Sequence, residues 1–315
     1  LHSDRCVVLQ KLQRNDAAIA SIETALKLAP KAAKIHLNHG NVLAAVNRTK
    51  EALASYQKAL LLDPENMSVR TQNAGLLLRL GRVDDALVAV TAALELNPQF
   101  PEALSLRGDI LVRMGDFSKA YVDFDKGAAL NPDLHFVHGK RMHAKMQLGD
   151  WSNLAQELAD LGAALTLSGT AATPFSILSL LDDPHQHLAA ARAVSQTYYP
   201  ARADLGSHAA RRGGEKIRLG YFSADFRAHP MGQLLAELFE VHDRDNFEVF
   251  AFAFGPDAKD DMRRRLEAGF DKFIDIRQLS DRDVAALSRD MGVDIAIDLV
   301  AHTGHSRLGM FAYGC

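Results

Sequence analysis

The chain has 315 residues, of which 48% are hydrophobic and 24% are charged, and its formal net charge is -3. This composition is ordinary for a globular protein of one or two domains, and the charge gives no field that attracts nucleic acid or an anionic membrane. The two cysteines, Cys6 and Cys315, stand at opposite ends, so their spacing indicates neither a disulfide framework nor a zinc site. Because no membrane-span or signal-peptide pattern occurs, we predict a cytoplasmic protein with no membrane or nucleic-acid partner.

A 34-residue period organises the first half of the chain, with prolines at Pro30, Pro64, Pro98 and Pro132 and alanines at Ala18, Ala52, Ala86 and Ala120. Small residues let paired helices approach closely, and proline cannot continue a helix. This spacing is typical of tetratricopeptide repeats, in which each unit is a helix-turn-helix. A turn position recurs at Asn47, Gly81, Gly115 and Gly149, where we expect left-handed backbone. We therefore predict an α superhelix, a tetratricopeptide solenoid, over residues 1–150.

The period fails from about Trp151, and residues 151–214 are predicted to form a helical cap and a linker. The stretch after Trp151 has helical apolar spacing and is suited to covering the last repeat. Residues 200–215 are polar and rich in turn formers. Their arginines, Arg202, Arg211 and Arg212, are consistent with a phosphate patch or with a solvated linker.

Beyond Glu215 the pattern changes to short apolar runs that alternate with amphipathic segments. We predict strands at 217–222, 247–254, 272–276 and 294–299, and helices at 231–242, 260–270 and 281–291. Such alternation implies right-handed crossovers and a parallel sheet that is covered on both faces. Residues 215–315 are therefore predicted to be an α/β Rossmann-like lobe.

Two histidine-bearing segments follow predicted strands of this lobe. Asp225 and His229 come after the first strand, and His302, Thr303, His305 and Arg307 come after the fourth. Ligands of open parallel sheets bind at the carboxyl ends of the strands, so we expect both segments at one binding edge. The alternative is that these histidines are ordinary surface residues. Asp294 and Asp298 flank the last strand in a spacing that is not a metal signature, and no metal is predicted.

The motifs KIRLGYFSADFRAHPMGQLL and GVDIAIDLVAHTGHSRLGMFA resemble the first catalytic lobe of the O-GlcNAc transferase and SPINDLY family. Within that family, the chain is most similar to the bacterial members. Tetratricopeptide repeats directly upstream are that family's arrangement. The stretches DWSNL and TPFSILSLLDDP are also similar to the connector of its bacterial branch. The resemblance covers nearly the whole chain, with the α/β lobe corresponding to part of a two-lobed GT-B enzyme.

The resemblance implies an inverting protein O-glycosyltransferase that uses neither a metal nor a cofactor. Its substrates would be a nucleotide sugar and the Ser or Thr hydroxyls of protein or peptide acceptors. UDP-GlcNAc is the expected donor, and another nucleotide sugar such as GDP-fucose stays open. Because its lone pair is largely free at neutral pH, histidine suits the base that takes the hydroxyl proton. The catalytic or active-site role carries over to His229.

Other motif positions are expected to bind substrate. His302 and Thr303 match a Gly-His-Thr loop and would contact the sugar or the acceptor. Arg307 fits the arginine of the same motif, although a surface arginine at a helix start explains it equally well. Asp225 is expected to orient its loop by accepting backbone N–H bonds. Ala301 departs from the family pattern, because it stands where glycine is usual and would be strained if that position has positive φ.

The resemblance also suggests how an acceptor peptide is held. Family members line the concave wall of the solenoid with an asparagine ladder. Here Asn38 occupies the ladder position, but Gln72 and Leu106 follow it at the next two repeats, so the ladder is mostly missing. Asn38, Asn41 and Gln72 are the candidate groove residues, with solvated helix faces as the alternative.

Relatives continue beyond this lobe into a second, donor-binding lobe, and the chain begins inside a repeat. We expect the natural protein to extend past Leu1 and Cys315, and we expect this polypeptide to be inactive alone. The alternative from another class is a non-catalytic tetratricopeptide adaptor that binds protein partners.

Overall fold

The computed structural model describes residues 1–11, 14–46, 48–203, 205–206, 216–303 and 306–314. The chain forms two compact units, Leu1–Ala190 and Ala191–Cys315. None of the helices in these ranges is long and apolar enough to cross a membrane. The domain borders expected from the sequence, at 150/151 and 214/215, stay predictions.

In the described residues, the first unit begins with nine helices that follow the 34-residue period. They are α1 (His2–Lys11), α2 (Asn15–Leu28), α3 (Ala33–Ala45), α4 (Thr49–Leu62), α5 (Met67–Arg79), α6 (Val83–Leu96), α7 (Pro101–Met114), α8 (Phe117–Leu130) and α9 (Val137–Gln147). The second helix of each repeat ends two residues before its proline, at Leu28, Leu62, Leu96 and Leu130. The predicted tetratricopeptide solenoid is confirmed.

Packing between the two helices of a repeat explains the recurrent small residues. A Cβ added to Gly40 would overlap the ring of Tyr56, and one added to Gly108 would overlap the ring of Phe124. Each ring is buried, so a glycine on one helix makes room for an aromatic side chain on its partner. The turn glycines Gly81, Gly115 and Gly149 have φ of 75°, 81° and 66°, as predicted. Asn47, the fourth turn position, lies outside the described residues.

Within several repeats, a polar side chain on the first helix contacts one on the second helix, 16 residues later in the sequence. Together these pairs form a column along the solenoid. The pairs are His39 with Ser55 at 3.0 Å, Arg107 with Asp123 at 2.7 Å, and Arg141 with Glu157 at 3.1 Å. At the equivalent place in the repeat of α5 and α6, Asn73 stands opposite Ala89 in the sequence pattern. The side-chain oxygen of Asn73 is buried without a hydrogen-bond partner. The column therefore has a defect in the repeat of α5 and α6.

The described chain continues with three further helices, α10 (Leu154–Ser168), α11 (Pro174–Ile177) and α12 (Pro184–Tyr198). The last of these, α12, runs past the unit's end. The repeat period would start α10 at Trp151, but the helix starts three residues later, after Asn153 takes left-handed backbone with φ of 54°. A buried cluster packs α10 to α12 against Met142 of α9. The apolar side of α9 is thereby covered.

The second unit is an α/β lobe, as predicted. Its elements are β1 (Ile217–Ser223), α13 (Pro230–Glu240), β2 (Phe247–Ala253), α14 (Asp261–Ala268), β3 (Lys272–Asp275), α15 (Asp281–Asp290), β4 (Ile295–Asp298) and a short 3-10 helix (Leu308–Tyr313). All strand pairs are parallel, and the sheet order is β3-β2-β1-β4.

Side chains that alternate along β1 build two separate cores, one on each face of the sheet. Tyr221 belongs to the core with Phe239 of α13 and Leu266 of α14. The neighbouring Phe222 belongs to the core with Val284 of α15 and Met310 of the 3-10 helix. The sheet is therefore buried on both faces, which is why its strands read as continuous apolar runs.

Candidate functional site

The strand order creates a topological switch point between β1 and β4. The chain leaves β1 for β2 on one side, and after β3 it returns to place β4 on the other side. Phe222 of β1 pairs with Asp298 of β4, so both strands end at the same level. The segments that carry His229 and His302 start at these ends. They therefore leave the same edge of the sheet, where open parallel sheets bind ligands.

His229 is the N-cap of α13, and Pro230 takes the first helical position, where its missing N–H is not needed. The Met231 amide donates a hydrogen bond to Nδ1 of the imidazole at 3.3 Å. This bond uses the lone pair on Nδ1, so a neutral ring carries its proton on Nε2. Nε2 lies 3.8 Å from Oδ1 of Asp225. In this arrangement His229 can donate a hydrogen bond at Nε2, and it must release Met231 before it can accept a proton at Nδ1.

Asp225 orients its surroundings in a different way from that expected. Its carboxylate accepts a hydrogen bond from the Arg227 guanidinium at 3.2 Å, and no backbone amide is among the contacts of that carboxylate in the described chain. Its own amide donates to Oγ of Ser223 at 3.0 Å. The Asp225 carboxylate thus stands between Arg227 and His229, so it balances the charge of one and faces the N–H of the other.

Asp260 accepts the backbone N–H bonds that were expected of Asp225, and it was not among the residues predicted from the sequence. This residue caps α14, where its Oδ1 accepts a hydrogen bond from the Arg263 amide at 2.7 Å. Its Oδ2 accepts one from the amide of Ala228 at 3.1 Å. These two backbone N–H bonds, that of Ala228 first, lower the pKa of the Asp260 carboxyl. Helix-cap preference predicts the first bond, but no local pattern predicts the second.

Two glycines allow the segment before α13 to fold tightly. A Cβ added to Gly232 would lie 2.5 Å from the carbonyl oxygen of Arg227, and one added to Gly255 would overlap the backbone of Ala224. Backbone atoms cannot move aside as a flexible side chain can, so any larger residue at either position would displace the segment. The backbone around His229 therefore has little freedom.

The second segment turns sharply at Ala301, whose φ is 48°. The position thus has the positive φ under which an alanine is expected to be strained. Asp298 stabilises the turn, because its carboxylate accepts hydrogen bonds from the amides of Val300 at 2.9 Å and Ala301 at 3.0 Å. The Thr303 hydroxyl, on an exposed residue, donates to the carbonyl of Val300 at 2.8 Å.

His302 lies half-buried on this turn. Burial lowers the pKa of its imidazole, and the negative charge of Asp298 opposes that shift only in part. A neutral ring offers one donor and one acceptor, so His302 is suited to hydrogen-bond a sugar or acceptor hydroxyl at neutral pH. His305, the other histidine of this motif, lies outside the described residues.

Arg307 is held by the protein itself. Its guanidinium donates to Oδ1 of Asp281 at 2.6 Å and 3.0 Å, and to the carbonyls of Ile276 and Leu279 at 3.0 Å and 2.9 Å. The side chain is 15% exposed. It is therefore not a solvated surface arginine, and four of its five N–H groups are already used within the protein.

The candidate groove residues of the first unit differ in their contacts. Asn38 is buried and donates to Oγ of Ser3 at 2.9 Å. Asn41 accepts a hydrogen bond from the Tyr56 hydroxyl at 2.8 Å, whereas Gln72 is exposed. Of the three, Gln72 has the side chain most open to a peptide.

The described residues hold no group of three His, Cys, Asp or Glu side chains that could bind a metal ion. Asp294 and Asp298 lie at opposite ends of β4, where Asp294 accepts a hydrogen bond from the Arg218 amide at 2.9 Å. Each carboxylate thus accepts hydrogen bonds from a different part of the backbone.

Comparison with known proteins relates both parts of the chain to families. Residues 198–314 match the model described as Glycosyl transferase family 41, and residues 7–66 and 43–110 match tetratricopeptide repeat models. The probable UDP-N-acetylglucosamine--peptide N-acetylglucosaminyltransferase SEC of Arabidopsis thaliana is 32% identical over 103 residues, which are 32% of this chain and 10% of that protein. The probable SPINDLY enzyme of Petunia hybrida is 28% identical over 100 residues, 31% of this chain and 11% of that protein.

Among solved structures, a mutant O-GlcNAc transferase of Thermobaculum terrenum is similar, with a TM-score of 0.48 and 24% identity. The match covers 89% of this chain and 48% of that one. The chain spans about a tenth of the length of the curated relatives that it matches. The family model and the curated relatives confirm the resemblance to the O-GlcNAc transferase and SPINDLY family.

Proposed function

We propose that this chain, with tetratricopeptide repeats and a glycosyl transferase family 41 region at residues 198–314, belongs to a protein O-glycosyltransferase. The reaction transfers a sugar with inversion from a nucleotide sugar to Ser or Thr of a protein. One observation carries the proposal: the segments that bear His229 and His302 leave the sheet together at its switch point. This edge lies within the family 41 region.

The reaction makes two demands on the site. The acceptor hydroxyl oxygen bonds to the anomeric carbon and gives its proton to a base, while the bond from that carbon to the diphosphate breaks. We assign His229 to the acceptor side of this edge, where its Nε2 orients the hydroxyl or, after release of Met231, its ring accepts the proton. We assign His302 and Thr303 to the sugar or the acceptor. Asp225 keeps the imidazole of His229 oriented.

The leaving diphosphate needs hydrogen-bond donors or cations. Arg307, the motif cation at this edge, donates four of its five N–H groups to Asp281 and two carbonyls. We therefore propose that a second lobe supplies the donor contacts and that residues 1–315 alone do not transfer sugar. The names of the curated relatives support UDP-GlcNAc as the donor. The proposed reaction uses neither a metal nor a cofactor.

The repeats are proposed to select the acceptor. A concave solenoid wall holds an extended peptide, and the polar side chains of Asn41 and Gln72 are available for its backbone. Asn38 contributes only if it releases Ser3. Because the ladder is incomplete, we expect weaker and less general peptide binding than a full asparagine ladder gives.

A transfer assay tests the proposal. Residues 1–315 and the natural protein that contains them are each incubated with UDP-GlcNAc or GDP-fucose and a library of Ser- and Thr-containing peptides, and modified peptides are identified by mass spectrometry. We expect transfer from UDP-GlcNAc by the natural protein and none by residues 1–315. Transfer by the short polypeptide contradicts the need for a second lobe. Peptide binding without transfer by either protein supports the adaptor alternative.

A further inference from the structure

We infer that Asp260 is a positioning residue for His229, an inference that rests on the active-site role proposed for that histidine. The Asp260 carboxylate joins two parts of the lobe, since one oxygen caps α14 at the Arg263 amide and the other accepts from Ala228. Ala228 directly precedes His229 but lies 32 residues from Asp260. A carboxylate is required for this bridge, because both bonds need an acceptor oxygen.

The beginning of α14 holds the His229 segment at further points. The Arg263 guanidinium donates to the carbonyl of Phe226 at 3.3 Å and lies 4.1 Å from the ring centre of Phe273. Leu266, one turn further along α14, would meet a Cβ on Gly232 at 3.2 Å, so the two helices are in close contact there. The segment is thus fixed by a backbone amide, a backbone carbonyl and a packed helix start.

These contacts decide where the imidazole lies. With the Ala228 amide fixed, the backbone of His229 enters α13 in the extended conformation of an N-cap, at φ of -145° and ψ of 150°. That conformation aims Nδ1 at the Met231 amide and leaves Nε2 near Asp225. Loss of the Ala228 bond would free the segment to leave this conformation, and the ring would lose its single tautomer. Asp260 acts on His229 through the backbone without touching the ring.

The variant Asp260→Ser separates this role from helix capping. A serine hydroxyl is a good N-cap and accepts from the Arg263 amide, but it is too short to reach Ala228 as well. In residues 1–315, NMR follows amide exchange at Ala228 and Arg263 and the imidazole nitrogen signals of His229. We expect the Ala228 amide to exchange roughly tenfold faster, the Arg263 amide to keep its protection, and the His229 nitrogens to move toward an average of two tautomers.

Ser280→Ala is the matched control, because it removes the side-chain cap of the neighbouring helix α15 without touching the His229 segment. This control should leave the Ala228 and His229 signals unchanged. The inference is wrong if Asp260→Ser leaves them unchanged too, or if it speeds exchange equally at Arg263 and throughout the strands. A His229→Ala protein that still transfers sugar would instead contradict the proposed function, and the NMR result would be unaffected by that outcome.

Discussion

Asp298 holds Ala301 in left-handed backbone: one carboxylate oxygen accepts a hydrogen bond from the Ala301 amide at 3.0 Å, and the φ of this alanine is 48°. The other oxygen accepts from Val300 at 2.9 Å. A bond to a charged acceptor is among the stronger hydrogen bonds in proteins, and it offsets the steric cost of the alanine Cβ. The turn that presents His302 is therefore a strained turn held by one carboxylate.

Ala301→Gly should stabilise the second unit. Glycine adopts positive φ without the steric cost, and this gain exceeds the added freedom of the unfolded chain, so we expect about 0.5–1 kcal/mol more unfolding free energy. Urea denaturation of residues 1–315 measures it. Ala268→Gly, in the exposed last turn of α14, is the control and should destabilise by up to about 1 kcal/mol. A loss of stability in Ala301→Gly would show that the turn is not strained.

Ala89→Ser should repair the defect in the polar column. A hydroxyl there stands where Ser55 meets His39 in the earlier repeat, and it would satisfy the buried oxygen of Asn73. We expect a coupling energy of about 1 kcal/mol between the two positions in a double-mutant cycle with Asn73→Ala. Equal effects of Ala89→Ser in the presence and absence of Asn73 would mean that the two side chains do not meet.

Glu157→Ala should strongly destabilise the end of the solenoid. Glu157 accepts from Lys145 at 2.7 Å and Arg141 at 3.1 Å, and the Lys145 side chain is only 5% exposed. Removal of the Glu157 carboxylate leaves the buried charge of Lys145 without its counter-ion, which costs about 3 kcal/mol of unfolding free energy. Asp125→Ala removes the exposed partner of the same Arg141 and should cost less than about 1 kcal/mol. Thermal unfolding compares the two variants, and similar losses would contradict the importance of burial.

Acidification should destabilise the second unit in part through His242. The Tyr221 hydroxyl hydrogen-bonds to its Nε2 at 2.9 Å, and burial first, then the nearby Arg244, lowers the pKa of this histidine. Because the unfolded chain takes up the proton more readily, stability that is present above about pH 6.5 is lost as the pH falls through and below that value.

His242→Gln keeps an acceptor for Tyr221 but does not titrate. Urea unfolding at about pH 7.5 and about pH 5.5 should therefore show a smaller difference for the variant than for the unaltered chain. Part of the pH dependence should remain, because burial also lowers the pKa of His39 and His302. Equal pH dependence of the unfolding free energy in the two proteins would show that His242 does not contribute to it.

The sequence carries most of the fold because its signals are local and periodic. The proline spacing predicts where the second helices end, and strand β2 is assigned from its apolar run to within one residue. The register fails at Trp151, where a left-handed Asn153 delays α10 by three residues, and no pattern indicated this turn. Local conformation outweighed the repeat there.

The site is less accessible to sequence reasoning because its contacts join distant residues. The edge that carries His229 and His302 follows from the order of strands and helices. Other contacts depend on tertiary packing between residues that are tens of positions apart. They are the hydrogen bonds from Ala228 to Asp260, from Arg307 to Asp281 and from Asn38 to Ser3. Only Ala301 gave a local warning, because alanine stands where the family pattern usually has glycine, and its φ is positive.

The most direct test compares sugar transfer by the natural protein that contains this sequence with transfer by its His229→Ala variant, using UDP-GlcNAc and a peptide that the unaltered protein modifies. His242→Gln, a histidine change in the same lobe at the opposite end of α13, is the control. We expect His229→Ala to lower kcat by about a hundredfold or more and the control to keep its activity. Equal kcat in His229→Ala and the unaltered protein would contradict a catalytic role for His229.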